Sequence, residues 1–232
     1  MKVERSPAYL LHRRPFRETS ALLEVLTPEY GRVGLVYRGG RRSSRGKAGV
    51  QPFSALRISW SGRGELYTLT AVETEKVYTV FAPTRVLCGL YVNELVMGLV
   101  PRLSPGPSLY ASYERVMGRL ARLEDMEPEL RRFEADLLSA IGYGLQLDGE
   151  AHTGAPLKVG RWYRYDNEQG PVRCGAHSAQ AVSGLALLRL REGALADPEC
   201  RVEIKQLLRS VLEHHLQGRK VRSREIFRYL NQ

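Results

Sequence analysis

Apolar residues change their period near residue 82, from strand-like runs to helical spacing, and that switch limits the folds open to this chain. Before it they come in five short runs: Ala8 to His12, Ser20 to Leu26, Arg32 to Arg38, Ala55 to Trp60 and Leu66 to Val72. Turns rich in Gly, Pro and charge part them, such as Thr27-Pro28-Glu29-Tyr30-Gly31 and Ser61-Gly62-Arg63-Gly64. Five short strands bury little unless the sheet closes, which predicts a small barrel, with the five-stranded OB-fold the natural choice. Side chains alternate along a strand, so Val33, Leu35 and Tyr37 share a face, as do Leu56, Ile58 and Trp60 opposite Arg57 and Ser59. Tyr37 and Trp60 are therefore expected in the core. Phe16, between arginines, and Tyr30, in its turn, are the better base-stacking candidates.

Beyond Phe81-Ala82-Pro83 the apolar residues recur at helical spacing: Val86, Leu87, Leu90, Tyr91, Leu95 and Leu99, then Leu109, Tyr113, Met117 and Leu120, then Leu130, Phe133, Leu137, Leu138 and Ile141. Three amphipathic helices joined by proline-bearing turns predict a bundle. From Gly142 to about Gly175 the pattern fails, with a possible hairpin from Trp162 to Tyr165 and Val172 to Cys174. Helical spacing returns in Ala179 to Leu190 and Ile204 to Leu216, and a short helix is expected from Ser223 to Leu230. The predicted class is α+β and multidomain: an OB-fold barrel over residues 1–82, then an all-helical domain over 83–232 with an irregular insertion around 145–178.

The 232 residues, 43% hydrophobic and 26% charged, hold enough apolar material for a core without disulfide or metal staples. Three scattered cysteines, Cys88, Cys174 and Cys200, make no disulfide framework and fit a reducing compartment. Met1 leads into Lys2-Val3-Glu4-Arg5 with no apolar signal core, and the run Leu87 to Val100 is interrupted by Gly89, Asn93, Glu94 and Gly98. A soluble, cytoplasmic protein is expected.

The net charge of +10 favours polyanionic partners. It is unevenly spread: residues 1–82 hold 14 Lys or Arg against 7 Asp or Glu, a net +7, and the remainder holds 21 against 18, a net +3. Arg38-Gly39-Gly40-Arg41-Arg42-Ser43-Ser44-Arg45-Gly46-Lys47 contains five cations and no acid. Such a segment either wraps a phosphate backbone or is a solvated loop; the neighbouring Arg13, Arg14 and Arg17 favour binding. Arg32 and Arg57 add to the barrel's cations, and Lys220, Arg222 and Arg224 form a second basic cluster. There Ser223 is placed to cap the final helix, whose start could seat a phosphate, or the cluster simply solubilises the helix.

Catalytic signatures are missing. No phosphate-binding loop, dinucleotide fingerprint, nucleophile elbow or paired-histidine helix occurs in the sequence. Asp125, Glu127 and Glu129 read as a helix start rather than a nuclease site. Cys174-Gly175-Ala176-His177, with Glu150 and His152 upstream, is half a zinc site without a second half. No metal, cofactor or catalytic residue is expected.

Four stretches then carry a family resemblance: Leu11-His12-Arg13-Arg14-Pro15-Phe16-Arg17-Glu18-Thr19-Ser20 with Thr27 through Arg32; Arg38-Gly39-Gly40-Arg41-Arg42 leading to Val50-Gln51-Pro52-Phe53 and Gly62-Arg63-Gly64-Glu65; Leu130-Arg131-Arg132-Phe133-Glu134 with Ile141-Gly142-Tyr143-Gly144; and Lys220-Val221-Arg222-Ser223-Arg224-Glu225-Ile226-Phe227. In this order the chain resembles the RecO family of recombination mediators over nearly its whole length. The resemblance implies an N-terminal OB-fold and a helical C-terminal domain. It implies binding of single- and double-stranded DNA and annealing of complementary strands without nucleotide hydrolysis. It also implies work with RecR, and in some lineages RecF, to load RecA onto DNA coated by single-strand-binding protein. Many members bind the acidic C-terminal tail of that protein, for which Arg131 and Arg132 are the candidate cations beside an apolar slot. Some members hold zinc through four cysteines; the corresponding positions here are Glu150, Thr153, Cys174 and His177, so the resemblance is to the branch without zinc. The DNA-binding candidates are Arg13, Arg14, Arg17, Arg32, Arg38, Arg41, Arg42, Arg45, Lys47, Arg57, Lys220, Arg222 and Arg224. The alternative is an adaptor that docks single-strand-binding protein and RecR, with DNA contact incidental.

Overall fold

The run Ala8-Tyr9-Leu10-Leu11 is apolar without alternation, and the fold uses both of its faces. In the computed structural model, which describes residues 1–39, 50–64, 66–78, 82–120, 122 and 125–230, it lies in β1 (Lys2–Phe16). Ala8 and Leu10 point into a barrel core, while Tyr9 and Leu11, also buried, lie outside that core cluster. Tyr9 meets helical residues, its ring 5.3 Å from Tyr110 and 5.0 Å from Tyr113. Burying each such side chain contributes roughly 1.5–3 kcal/mol, so β1 anchors two layers at once.

The barrel is completed by β2 (Ser20–Thr27), β3 (Gly31–Tyr37), β4 (Ser54–Ser61) and β5 (Tyr67–Val77), closed in the order β1-β2-β3-β5-β4. All pairings are antiparallel except β3 with β5. This is the OB-fold predicted from the five runs, with strand ends moved by a few residues. Strict alternation of buried and half-buried residues along β4 puts Leu56, Ile58 and Trp60 inside. Tyr37 packs against the same core, as expected, and so does Tyr30, edge-on to Trp60 at 5.2 Å. Tyr30 is thus a core contact rather than a stacking platform.

Two compact units divide the chain, Met1–Glu124 with Val221–Gln232, and Asp125–Lys220. The first adds to the barrel α1 (Pro83–Leu99), α2 (Pro107–Leu120) and α6 (Arg222–Leu230), with α6 packed along α1. Pro83 opens α1, where its missing N–H costs nothing. Buried Asn93 of α1 donates to the Leu11 carbonyl at 2.9 Å and accepts from the Tyr113 hydroxyl at 2.7 Å, tying barrel, α1 and α2 together. Burial pushes the Tyr9 hydroxyl up, with Tyr78 and Glu114 adding to it, so it stays a donor to Glu114 at 3.0 Å.

The second unit comprises α3 (Glu127–Ala140), a sheet of β6 (Trp162–Asp166), β7 (Gly170–Cys174) and β8 (Ala181–Ser183) in the order β7-β6-β8, then α4 (Gly184–Glu192) and α5 (Arg201–Leu216). The hairpin expected at Trp162 to Cys174 is there, and β8 extends it to three strands where the sequence pattern suggests helix alone. Of the three helices that periodicity groups into a bundle, α1 and α2 belong to the first unit and α3 to the second, where it packs on α5. Periodicity gives the apolar face of a helix but not the element it meets. Among the described residues no helix is long and apolar enough to cross a membrane.

Candidate nucleic-acid interface

Strand register gathers one set of cations. Arg14 pairs with Leu22, which pairs in turn with Val36; Pro15 pairs with Ala21, which pairs with Tyr37. The β1–β2 turn and the end of β3 therefore lie at the same end of the barrel, bringing Arg14, Arg17 and Arg38 there, all exposed. Neighbouring strands are about 4.8 Å apart, so β1 and β3 stand roughly 10 Å from each other. Arg14 and Arg38 have no ion-pair partner among the described residues. Arg17, at a left-handed φ of 52°, carries its guanidinium 5.1 Å from the Phe16 ring centroid. Arg13 has the opposite parity: half-buried, it donates to the carbonyl of Val50, a core residue, at 3.4 Å. Arg41, Arg42, Arg45 and Lys47 lie outside the described residues.

Other expected cations are already engaged. Arg32, at the far end of β3, has a side chain only 16% exposed, lies 3.8 Å from the Glu24 carboxylate and donates to the Met97 carbonyl. Arg57 is held by Glu75 at 2.8 Å. The sequence placed these two in the DNA-binding set; each is instead engaged by a carboxylate of a neighbouring strand, Arg32 largely buried and Arg57 at the barrel surface.

A feature that sequence reading missed explains Arg32. The segment Val100 to Gly106, between α1 and α2, runs beside the edge of β3, where Arg102 makes a parallel bridge to Arg32. Leu103 N–H donates to the Arg32 carbonyl at 2.9 Å, and Gly106 N–H to the Pro28 carbonyl at 3.3 Å. Arg102 pairs with Glu24, whose strand partner is Gly34. A Cβ on Gly34 would stand 3.0 Å from the Arg102 guanidinium carbon, so glycine makes room for it. Gly31 has a φ of 64°, and a Cβ there would sit 1.8 Å from the Ser104 carbonyl oxygen. The only sequence signal was the pair of glycines in a strand pattern.

In the second basic cluster Lys220 and Arg222 are exposed. Arg224 is half-buried, donates to the Tyr91 hydroxyl at 2.7 Å and covers its ring at 5.0 Å. At the start of α6, where the basic sequence suggests a phosphate, a carboxylate of the chain itself already accepts from Ser223. It belongs to Glu94, which accepts from Ser223 N–H at 3.0 Å and from its hydroxyl at 2.7 Å.

The peptide-binding candidates separate. Arg131 is buried and paired with fully buried Glu134 at 2.6 Å, so it cannot rim a groove. Arg132 is exposed and donates to the Gly193 carbonyl at 3.3 Å. A groove of about 460 Å³ in the same unit is lined instead by Tyr165, Val182, Leu207, Arg209, Val211 and Glu213, among others. Asp125 binds Arg201 and Glu127 binds Lys205 at 3.0 Å, matching a helix start held by ion pairs. The Arg201 guanidinium, and then the Glu127 N–H, hold the Asp125 carboxyl below its usual range. At the Glu150 end of the half zinc motif, Glu150 accepts from Thr153 at 3.1 Å and Tyr163 at 3.3 Å. No group of three metal-ligating side chains occurs among the described residues.

The family model described as Recombination protein O N terminal matches residues 1–78, and that described as Recombination protein O C terminal matches residues 81–225. Proteins named DNA repair protein RecO are similar along nearly the whole chain. The one from Methylococcus capsulatus is 47% identical over 95% of this chain and 91% of its own length. That from Nitrosococcus oceani is 44% identical over 99% and 95%, and that from Halorhodospira halophila 43% over 97% and 96%.

Proposed function

The chain belongs to the RecO family of DNA repair proteins, and from that premise we propose that it binds single- and double-stranded DNA, anneals complementary strands and helps load RecA onto DNA coated by single-strand-binding protein. It does so without catalysis or cofactor, in the cytoplasm and associated with the nucleoid. The barrel of residues 1–82 is the DNA-binding module. The helical part, 83–232, docks RecR (in some lineages with RecF) and the acidic tail of single-strand-binding protein, for which Arg132 supplies the exposed cation.

One observation carries the DNA-binding reading. The register that brings Arg14, Arg17 and Arg38 to one barrel end also starts the basic segment there, since Gly39 leads in sequence to Arg41, Arg42, Arg45 and Lys47. Cations on one rim neutralise the phosphates of a strand and lower repulsion as its complement approaches.

A fluorescence assay with complementary strands, with and without single-strand-binding protein, tests this. The protein should speed pairing over the spontaneous rate, and added salt should suppress the effect. No acceleration and no binding at low salt would overturn the reading.

A further inference from the structure

An OB barrel ordinarily binds nucleic acid with the outer face of strands 2 and 3 and the loops between strands 1 and 2 and strands 4 and 5, with aromatic rings on which bases stack. Here that face is roofed: Leu22 and Leu26 are buried, and the Glu24 side chain is only 14% exposed. The segment Val100 to Gly106 pairs with the edge of β3, through Leu103 on Arg32 and Gly106 on Pro28, and from there Arg102 reaches over Gly34 to Glu24.

The aromatic rings are withdrawn as well. Tyr9, Phe53, Trp60 and Tyr67 are buried, and Tyr30 and Tyr37 pack on the core. The remaining described rings of the barrel region, Phe16 and Tyr78, are half-buried, and each has a cation over its ring, Arg17 at 5.1 Å and Lys76 at 4.6 Å. The charges that face solvent at the β1–β2 end are Arg14, Arg17 and Arg38, with Glu18 the one acid in the turn.

Resting on the proposed DNA binding, we infer that this barrel holds nucleic acid by its sugar–phosphate chain alone, at the end formed by the β1–β2 turn and the end of β3, with no exposed aromatic ring among its described residues for bases to stack on. A strand held this way keeps its base edges outward, the state in which a complement can pair with it. The grip is indifferent to base identity.

Two labelled strands of equal length and charge, oligothymidylate and a fully abasic chain, are titrated by anisotropy against the full-length protein. Expected are affinities within about threefold of each other and the same salt slope, since only phosphates are counted. A single stacked base is worth roughly tenfold in affinity, so an abasic strand weaker by tenfold or more would overturn the inference while leaving DNA binding intact. Failure to bind either strand at low salt overturns the underlying reading instead.

A second arm locates the grip. Arg14→Glu with Arg38→Glu should weaken both strands equally, and Arg102→Ala should weaken neither. Loss of affinity in a folded Arg102→Ala protein, with the double reversal silent, would return the site to the roofed face. Glu24→Gln, which loosens the same contact, serves if Arg102→Ala does not fold.

Discussion

The Glu94 carboxylate accepts both the N–H and the hydroxyl of Ser223, 129 residues further along, and so caps α6 from α1. A cap of this kind is worth about 1–2 kcal/mol. Glu94→Ala should therefore free α6 before it unfolds the rest of its unit. Amide hydrogen exchange should accelerate selectively from Val221 onward, and the urea midpoint should fall by a matching amount. Unchanged protection there would deny the cap any role.

Asn93, a residue only 3% exposed, joins barrel to helices through its side chain. Asn93→Leu leaves the Leu11 carbonyl and the Tyr113 hydroxyl without these partners, at a cost of about 2–4 kcal/mol. Urea denaturation checks it. A double variant that also carries Tyr113→Phe should lose less than the sum of the two single losses, because one bond is counted twice.

Gly31 meets two constraints together, a positive φ and the Ser104 carbonyl. Gly31→Ala should cost more than about 2 kcal/mol, through backbone strain and displacement of the segment above it. A melting curve shifted by less than a degree or so would mean that segment is loosely held.

Arg14→Glu with Arg38→Glu should lower affinity for single strands at least tenfold at low salt. The dependence of log affinity on log salt should become shallower by about 0.7 for each phosphate that is no longer neutralised. The triple reversal of Arg41, Arg42 and Arg45 should act in the same direction, across all sequences. Unchanged slopes in both would move the binding surface off this end of the barrel.

Asp125 gives a pH signature. Its carboxyl is held below the ordinary value by Arg201 and then by the Glu127 N–H. A depressed folded value stabilises the protein above the unfolded value of about 4, and that gain is lost as pH falls through the folded value. Asp125→Asn should therefore be less stable than the parent at pH 7, and the difference should close in acid. The effect is modest because the Asp125 side chain is 55% exposed.

The barrel was legible because its core obeys local rules. Leu56, Ile58 and Trp60 alternate with Arg57 and Ser59, and the strand could be read in isolation. Charge partners were not. Arg32 and Arg57 look like Arg14 and Arg38 on paper, since all four sit in or beside strands of a basic barrel. What separates them is Glu24 and Glu75, supplied by neighbouring strands whose register the sequence does not state, and Met97, supplied by a helix. Arg131 shows the same gap at shorter range. Glu134 lies one turn away, yet only the packing around α3 decides that both are buried.

The closing helix of the first unit is encoded after the whole of the second. During synthesis the barrel and its two helices thus emerge long before α6 reaches them, and the face of α1 that α6 covers must wait. A chain cut short within the second unit has an unfinished beginning, although every barrel strand has been made. Clipping the tail should wound the front of the molecule more than the middle that adjoins it in sequence.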